Sequence, residues 1–297
     1  MPHIIEKKKN SRTFLHSTEH IPQHVAFIMD GNRRYARRNG KETSWGHRRG
    51  MSAMENILHW TYLAKIKHIT IYAFSTENFK RDPTEVENIF DLLEEMLYKI
   101  SSDEKLLKKK IKIRMIGEAE NLPEKTLKAF RDLEEKTAGN DQMYLNVALA
   151  YGGRSDITQA FRSIAVTAAT ATAATAAASI VAATGAAAAD NTVVSNNYKN
   201  EDWISDEEIS KYLFPFSDEI VPGVDFLIRT GDEHRTSNFL PWQANGNNAV
   251  VCYYQKYWPE FTFKDLFYLL RRYQKAVEDK QKDEIKRLKK IEAFLEQ

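Results

Sequence analysis

The amino-acid sequence predicts an α/β fold: a single domain with a mostly parallel, six-stranded sheet flanked by helices. Short apolar, β-rich runs alternate with longer amphipathic runs along most of the chain. Strands separated by helices imply right-handed crossovers, which place the strands parallel and cover both faces of the sheet. The 297 residues, 42% of them hydrophobic, are typical of an ordinary globular chain with a sizeable core.

Each predicted strand is a run of aliphatic, β-branched or aromatic residues that ends at polar residues or glycine. These strands are 24–29, 69–74, 111–116, 144–150, 224–229 and 249–254. The predicted helices are amphipathic and lie near 47–66, 83–104, 122–136, 155–166, 205–213 and 263–295. Ligands of such sheets bind beyond the carboxyl ends of the strands, so the polar residues that follow the strands are the candidate site.

Composition excludes several classes of protein and site. A formal net charge of +2 does not indicate a strongly basic nucleic-acid binder. Cys252 is the only cysteine, which excludes an intrachain disulfide and favours a reducing compartment. No CxxC, HExxH or EF-hand pattern is present, so a dedicated metal cage is not expected. A cation shared between a carboxylate and substrate phosphates stays open.

One segment, at about 165–200, interrupts the alternation. Residues 165–190 are almost all Ala and Thr, and nothing from Ser163 to Ala189 is charged. Alanine and threonine carry little transfer free energy, which disfavours a membrane span. An isolated Ala-rich helix is an alternative, although Thr and Gly185 lower its propensity. We expect a disordered surface insertion without a functional role.

The run from His24 to Arg34 is the most informative motif. An apolar segment stops at Asp30 and Gly31, which predicts a buried strand that delivers a carboxylate to the edge of the sheet and a turn into a helix. A helix start suits a phosphate, and Arg33 and Arg34 add positive charge. Asp30 could hold a divalent cation against that phosphate. A strand-to-helix turn with solvated arginines is the ordinary alternative.

Three further strand ends carry polar residues: 75–79, 151–154 and 229–239. In the last, two arginines and a hydroxyl are suited to an anionic diphosphate. The ordinary alternatives are turn formers at Ser75 and Asn78, a plain loop at Gly152 and Gly153, and an Arg229–Asp232 ion pair. A chance occurrence of such polar residues after every one of these strands is less probable than a chance occurrence after any single strand.

Together these segments resemble the cis-prenyltransferase family, which includes undecaprenyl and dehydrodolichyl diphosphate synthases. The motifs are HVAFIMDGNRRYA, Gly46-His47, YAFSTENFKR, NVALAYGGR, LIRTGDEHRTSNFLPWQ and WPEF. They run from about Ile21 to about Arg272, after an N-terminal extension, 1–20, and within a domain assigned to 21–297. The resemblance implies an undecaprenyl diphosphate synthase-like fold and repeated condensation of isopentenyl diphosphate onto an allylic diphosphate, usually farnesyl diphosphate.

The resemblance also implies roles for individual residues, with Mg²⁺ as cofactor. The catalytic residues would be Asp30, Asn32, His47 and Ser75, with Asp30 also linked to Mg²⁺. The substrate-binding residues would be Gly31, Arg33, Arg34, Glu77, Asn78, Arg229, Arg235 and Ser237. Of these, Arg229, Arg235 and Ser237 would hold isopentenyl diphosphate, and the base is unassigned. Ala73 and apolar residues near 86–97 are candidates for a product tunnel, with ordinary core packing as the alternative.

The sequence departs from the bacterial pattern at several positions. Thr43 stands where an arginine is typical, and the strand 248–253 has no acid, with Cys252 among its residues. The segment 242–258 is longer than in bacterial members. The bacterial C-terminal Arg-x-Gly motif, which completes the isopentenyl diphosphate site, is missing after Arg272.

These departures resemble the catalytic subunits of eukaryotic dehydrodolichyl diphosphate synthases, which receive the motif from a Nogo-B-receptor-like regulatory subunit. We therefore expect a heteromer that makes a long polyprenyl diphosphate for dolichol synthesis and protein glycosylation. It would be peripheral, on the cytoplasmic face of the endoplasmic reticulum membrane, with lipid droplets as a further location. The lysine-rich C-terminal helix could contribute to attachment, although a solvated helix is the ordinary interpretation.

Three alternatives stay open. A noncatalytic scaffold subunit would typically lose the Asp30-Gly31-Asn32 motif, which is intact here. A self-sufficient homodimeric synthase of shorter cis-polyprenols would need a substitute for the missing C-terminal motif. A doubly wound nucleotide-binding protein would need a Walker or Rossmann glycine fingerprint, which the sequence lacks.

Overall fold

A computed structural model describes residues 20–185, 205–214, 222–245 and 249–295. The predicted N-terminal extension up to residue 19 and the part of the Ala/Thr-rich insertion after residue 185 lie outside the described residues. The chain divides into two compact units, Met1–Gly152 with Pro222–Gln297 and Gly153–Val221. The predicted extent of one domain over 21–297 stays a prediction.

The first unit contains a single six-stranded parallel sheet, as the sequence predicts. Its strands are β1 (His24–Ile28), β2 (His68–Tyr72), β3 (Ile111–Ile116), β4 (Met143–Ala148), β5 (Phe226–Thr230) and β6 (Val250–Tyr254). Their order is β3-β4-β2-β1-β5-β6, and every neighbouring pair is parallel. Since Ile28 of β1 lies opposite both Tyr72 and Arg229, the ends of β1, β2 and β5 meet at one edge.

The helices follow the predicted amphipathic runs, and the helix predicted after Gly31 is confirmed. A further short helix, which was not predicted, follows at Glu104–Leu107. The helices are α1 (Asn32–Arg38), α2 (Thr43–Leu63), α3 (Pro83–Ser102), α4 (Glu104–Leu107), α5 (Glu124–Thr137), α6 (Gly153–Gly185), α7 (Asp206–Lys211) and α8 (Phe263–Leu295). Short 3₁₀ turns occur at Thr76–Lys80, Ala119–Asn121 and Trp258–Glu260. Asp82 caps α3 by accepting hydrogen bonds from the Thr84 and Glu85 main-chain N–H groups, and Pro83 occupies the first turn.

The prediction of disorder is wrong for residues 165–185, because α6 continues through them to Gly185. Alanine has the highest helix propensity, and this compensates for the lower propensity of threonine. The Thr167 and Thr170 hydroxyls donate to the carbonyl oxygens four residues earlier, so their polar groups are satisfied within the helix. Across the described ranges, no helix is both long and apolar enough to cross a membrane.

The core of the first unit joins one face of the sheet to the helices around it. The strands contribute Phe27, Ile71 and Ile228, all fully buried. Apolar residues of α2, α3, α5 and α8 belong to the same buried cluster. In the second unit, the buried Asp156 of α6 accepts a hydrogen bond from the Phe214 main-chain N–H at 3.0 Å.

Candidate active site

Asp30 lies just beyond the end of β1, between two guanidinium groups. Its Oδ2 accepts a hydrogen bond from Arg229 Nη2 at 2.8 Å, and Arg34 Nη2 lies 3.2 Å from its Oδ1. Arg229 is in β5 and is 4% exposed, whereas the carboxylate is partly exposed. The ordinary alternative, an Arg229–Asp232 ion pair, is not formed, because Arg229 pairs with Asp30 instead. A buried cation and an accessible carboxylate therefore face each other at the sheet edge.

The turn after Asp30 is held rigidly by its neighbours. The Asp30 carbonyl oxygen accepts from Thr230 Oγ1 at 2.8 Å and from the Trp258 main-chain N–H at 2.9 Å. Gly31 has a φ of +106°, and a Cβ there would lie 2.7 Å from Tyr257 Cδ1. Only glycine therefore fits this turn, and α1 begins directly after it without a side-chain cap.

The loop after β5 folds back onto Arg229. The second nitrogen of Arg229, Nη1, donates to Ser237 Oγ and to the Arg235 carbonyl oxygen, both at 2.6 Å. The Arg235 side chain is 67% exposed and pairs with Glu233 at 2.9 Å, and Glu233 also lies 3.5 Å from Arg34. Arg229 and Ser237 thus meet beside Asp30, while the Arg235 guanidinium stands at the solvent side of the same loop.

The polar residues after β2 close a turn. Asn78 Oδ1 accepts from the Ser75 main-chain N–H at 3.1 Å, and the Ser75 side chain accepts from the Asn78 main-chain N–H. This is a capping box, as the turn-former alternative expects. Glu77 is exposed. The turn sits at the same edge, because Ser75 bridges to Tyr151 after β4.

A second charged cluster, around Glu85, was not singled out from the sequence. Glu85 Oε1 lies 3.3 Å from His47 Nε2 and accepts from Arg81 Nη1 at 3.0 Å, and Arg33 is 3.8 Å from the other oxygen. Burial lowers the pKa of His47 even though Glu85 raises it, so the imidazole is neutral at pH 7. Burial likewise lowers the pKa of Arg81. The sequence does not indicate a role for Glu85, because acidic residues are common in the first turn of a helix.

An apolar cavity opens beside these polar groups. It encloses about 610 Å³ including its open mouth. Its lining consists of Met29, Asn32, His47, Gly50, Met51, Met54, Ile71, Tyr72, Ala73, Ile89, Leu92, Leu93, Met96, Val147, Leu149 and Trp258. Ala73 and the α3 residues therefore line the space that the tunnel hypothesis requires. Among the described residues, the buried Asn32 Oδ1 has no hydrogen-bond partner, so an acceptor is available at the cavity wall.

Tyr72 connects the cavity to the loop after β5, a role that no local pattern in the sequence indicates. Its ring stacks on Phe239 with centroids 4.3 Å apart. Its hydroxyl donates to the Tyr151 carbonyl oxygen at 3.1 Å and lies 3.4 Å from that of Ser237. Burial raises the pKa of Tyr72, so the phenol stays protonated and remains a donor.

The donor set fits a shared cation and not a protein cage. The described residues contain no group of three or more His, Cys, Asp or Glu side chains that could hold a metal ion. Asp30 offers a partly exposed carboxylate between two guanidinium groups that would attract phosphates. Mg²⁺ is commonly held by one or two carboxylates plus substrate phosphates. Cys252 cannot take the place of a second acid, because it is buried in the core and burial raises its thiol pKa.

Comparisons with known proteins agree with this geometry. The family model described as undecaprenyl diphosphate synthase matches residues 28–281. A tritrans,polycis-undecaprenyl-diphosphate synthase (geranylgeranyl-diphosphate specific) of Methanosarcina mazei is 38% identical over 275 residues, which cover 93% of this chain and 84% of the relative. An isoprenyl transferase of Thermotoga maritima is 36% identical, with 86% and 94% covered. Lavandulyl diphosphate synthase from Lavandula x intermedia, crystallised with dimethylallyl diphosphate, superposes with a TM-score of 0.69 at 28% identity, with 85% and 95% covered.

Proposed function

Because the chain belongs to the undecaprenyl diphosphate synthase-like family of cis-prenyltransferases, we propose that it condenses isopentenyl diphosphate repeatedly onto an allylic diphosphate. The single observation that supports this most directly is the position of the Asp30–Arg229 pair next to the apolar cavity, whose lining includes Met29 and Asn32. An allylic diphosphate has the matching shape, with an anionic head and an apolar chain that grows by five carbons at each cycle.

The chain's own residues can bind both diphosphates at that edge. Arg229 and Arg34 carry the positive charge nearest Asp30. Arg33 lies 3.8 Å from the Glu85 carboxylate, which faces His47 of the cavity lining. Guanidinium groups bind phosphate oxygens in pairs, which would orient the head groups and stabilise the departing diphosphate. In the second diphosphate site, Ser237 and Arg235 stand next to Arg229. Mg²⁺, held by Asp30 and substrate phosphates, would neutralise charge on the leaving diphosphate.

His47 can accept a proton at the cavity wall. Its Nε2 faces the Glu85 carboxylate, so the N–H belongs on that nitrogen and the lone pair on Nδ1. A neutral imidazole can accept the proton lost from the isopentenyl unit, and the depressed pKa keeps it neutral. The Asn32 side-chain amide oxygen, Oδ1, is a further acceptor there.

The primer we propose is farnesyl diphosphate. The archaeal relatives are named for geranylgeranyl diphosphate, which makes that longer primer the first competitor. The two differ by one isoprene unit, and the cavity that receives their tails is the same.

We further propose a dehydrodolichyl-type synthase that works with a Nogo-B-receptor-like regulatory subunit at the endoplasmic reticulum membrane. The absence of the Arg-x-Gly motif supports this, since α8 continues past Arg272 to Leu295 as an uninterrupted helix. The alternative is a self-sufficient synthase, which the archaeal and bacterial relatives favour.

The test is incorporation of labelled isopentenyl diphosphate onto farnesyl or geranylgeranyl diphosphate with Mg²⁺, with and without the regulatory subunit. Strong incorporation only with the subunit would support the heteromer. Strong incorporation by the chain alone would establish the self-sufficient synthase. No incorporation with either primer under either condition would refute the proposed condensation.

A further inference from the structure

The second half of α8 carries an apolar row that no described residue covers. The first half packs on the core through Leu266 and Leu270, which are 1% and 8% exposed. Farther along, Leu288 is 59% and Leu295 is 77% exposed. At 3.6 residues per turn, these four side chains point to the same side of the helix. The face of α8 that is buried in the first half of the helix is therefore apolar in the second half as well, where it is exposed. Ile285 and Ile291 belong to this row and are 54% and 47% exposed.

Cations flank this row on both sides. Between Ile285 and Ile291 the sequence has four cations and no acid, and Glu292 is the one acid of residues 285–295, so this stretch carries a formal charge of +3. The four cations are Lys286, Arg287, Lys289 and Lys290. Within the described part of the chain, none of the four forms an ion pair. An apolar row bordered by unpaired lysine and arginine is complementary to an anionic bilayer surface, because the stems and apolar side chains enter the interface while the charges meet the headgroups.

We propose that residues 285–295 of α8 bind an anionic membrane surface, lying in the plane of the interface. Eleven helical residues extend only about 16 Å, roughly half the hydrocarbon thickness of a bilayer, so the segment lies on the membrane and does not span it. The proposal rests on the proposed function for its purpose. A polyprenyl diphosphate is an apolar chain that partitions into a bilayer, and a docked synthase would release it there.

A second copy of the chain fits the row less well. In a parallel helix pair the four cations would face their own copies, which is repulsive. In an antiparallel pair centred on Leu288, Lys286 and Arg287 would lie opposite Lys290 and Lys289 of the other copy, which is again repulsive. An anionic bilayer buries the apolar row and pairs its headgroups with the flanking cations at the same time.

The experiment is co-sedimentation of the full-length chain with vesicles of phosphatidylcholine and phosphatidylserine, and with vesicles of phosphatidylcholine alone. Binding should require phosphatidylserine and should weaken as salt rises. Leu288→Gln with Ile291→Gln, and Lys286→Glu with Lys290→Glu, should each lower the bound fraction about tenfold or more. The matched controls are Tyr98→Gln, an exposed aromatic on α3, and Lys128→Glu, an exposed lysine on α5; neither should change binding.

Circular dichroism and condensation activity in detergent separate this proposal from the proposed function. Variants that stay folded, keep activity in detergent and lose vesicle binding would support the membrane site. Unchanged vesicle binding in both α8 variants would overturn it. A second result would also overturn the proposal: the wild-type chain does not bind vesicles, and the same variants abolish self-association in sedimentation velocity. The apolar row would then be an interface between two copies of the chain. A chain that binds vesicles without any prenyl transfer would refute the proposed function alone.

Discussion

At the scale of single residues, the site is organised by ion pairs whose cations could bind a diphosphate. Arg229 is buried and uses both terminal nitrogens, one toward Asp30 and one toward Ser237 and the Arg235 carbonyl oxygen. Its Nε has no partner among the described residues. Because the guanidinium is already oriented, little side-chain entropy would be lost when a phosphate binds.

Asp30→Asn should lower the rate of condensation by roughly two to three orders of magnitude, because an amide keeps the shape but cannot hold Mg²⁺ as a carboxylate does. The measurement is steady-state incorporation of labelled isopentenyl diphosphate. Asp232→Asn is the matched control, since this nearby carboxylate is exposed and its one ion-pair partner among the described residues is His234, at 3.7 Å. Near-normal turnover of the Asp30 variant would remove Asp30 from the metal site.

The buried His24 should make stability depend on pH. Burial lowers its pKa in the folded protein, whereas the unfolded chain titrates near 6.5. The unfolded state therefore binds more protons as the pH falls below about 6.5, and the free energy of unfolding decreases by up to about 1.4 kcal/mol per pH unit from this group.

Urea unfolding at several pH values between 7 and 5, with His24→Gln alongside, tests this linkage. The variant loses hydrogen bonds to Thr70 and Pro222, so its stability falls at every pH. The informative readout is the slope against pH, which should flatten. An equal slope in the two proteins would show that His24 does not carry the dependence. Burial also lowers the pKa of His47, so this group accounts for part of the slope that remains.

At the scale of elements, the close approach of α1 and α2 determines where Asn32 stands. A Cβ added at Gly46 would overlap the Asn32 carbonyl oxygen, and one at Gly50 would overlap its Oδ1. These glycines are needed for space, not for an unusual φ. Trp258 supports the same junction by donating its indole N–H to the Gly50 carbonyl oxygen at 2.8 Å.

Gly46→Ala should therefore destabilise the protein by about 1–3 kcal/mol and reduce activity, because α1 must shift to relieve the overlap. Equilibrium unfolding and the incorporation assay would measure both effects. Gly139→Ala is the control, since a Cβ there meets no atom within 4 Å. Equal stability of the two variants would contradict the inferred packing of α1 on α2.

The length of the product should respond to residues that line the cavity. Ala73→Leu fills the space next to β2 and should shorten the product, whereas Leu92→Ala enlarges it and should lengthen the product. Chromatography of the labelled products measures the change. Leu97→Ala is the control on the same helix, because Leu97 is buried but does not line the cavity, so it should lower stability alone. An unchanged product distribution in both cavity variants would exclude this space as the tunnel.

At the scale of the whole molecule, strand order is what assembles the site. Asp30 and Arg229 are 199 residues apart in sequence and meet because β1 lies between β2 and β5. Every residue assigned a role by the family resemblance belongs to the first compact unit. The Ala/Thr-rich half of α6 belongs to the second unit.

Deleting residues 167–185 should thus leave condensation activity largely unchanged. The segment has no ionisable group, and Thr167 and Thr170 satisfy their hydroxyls within the helix. Activity and circular dichroism of the shortened chain are the measurements. A folded but inactive deletion variant would assign α6 a part in the reaction.

The sequence by itself determined the elements and the chemistry at their ends. All six strands appear within two residues of their predicted bounds, because alternation and turn residues are local properties. The Asp30-Gly31-Asn32 motif was readable for the same reason. The misjudged segment was 165–185, where alanine's helix propensity prevailed over the expectation that a weakly apolar segment stays disordered.

Only the tertiary structure decided how these residues meet. It paired Arg229 with Asp30, brought His47 and Arg81 to Glu85, and set Tyr72 against the loop at Ser237. It also showed the cavity between sheet and helices. Contacts between distant residues depend on strand order and on the packing of side chains across elements, and neither is encoded in any local pattern.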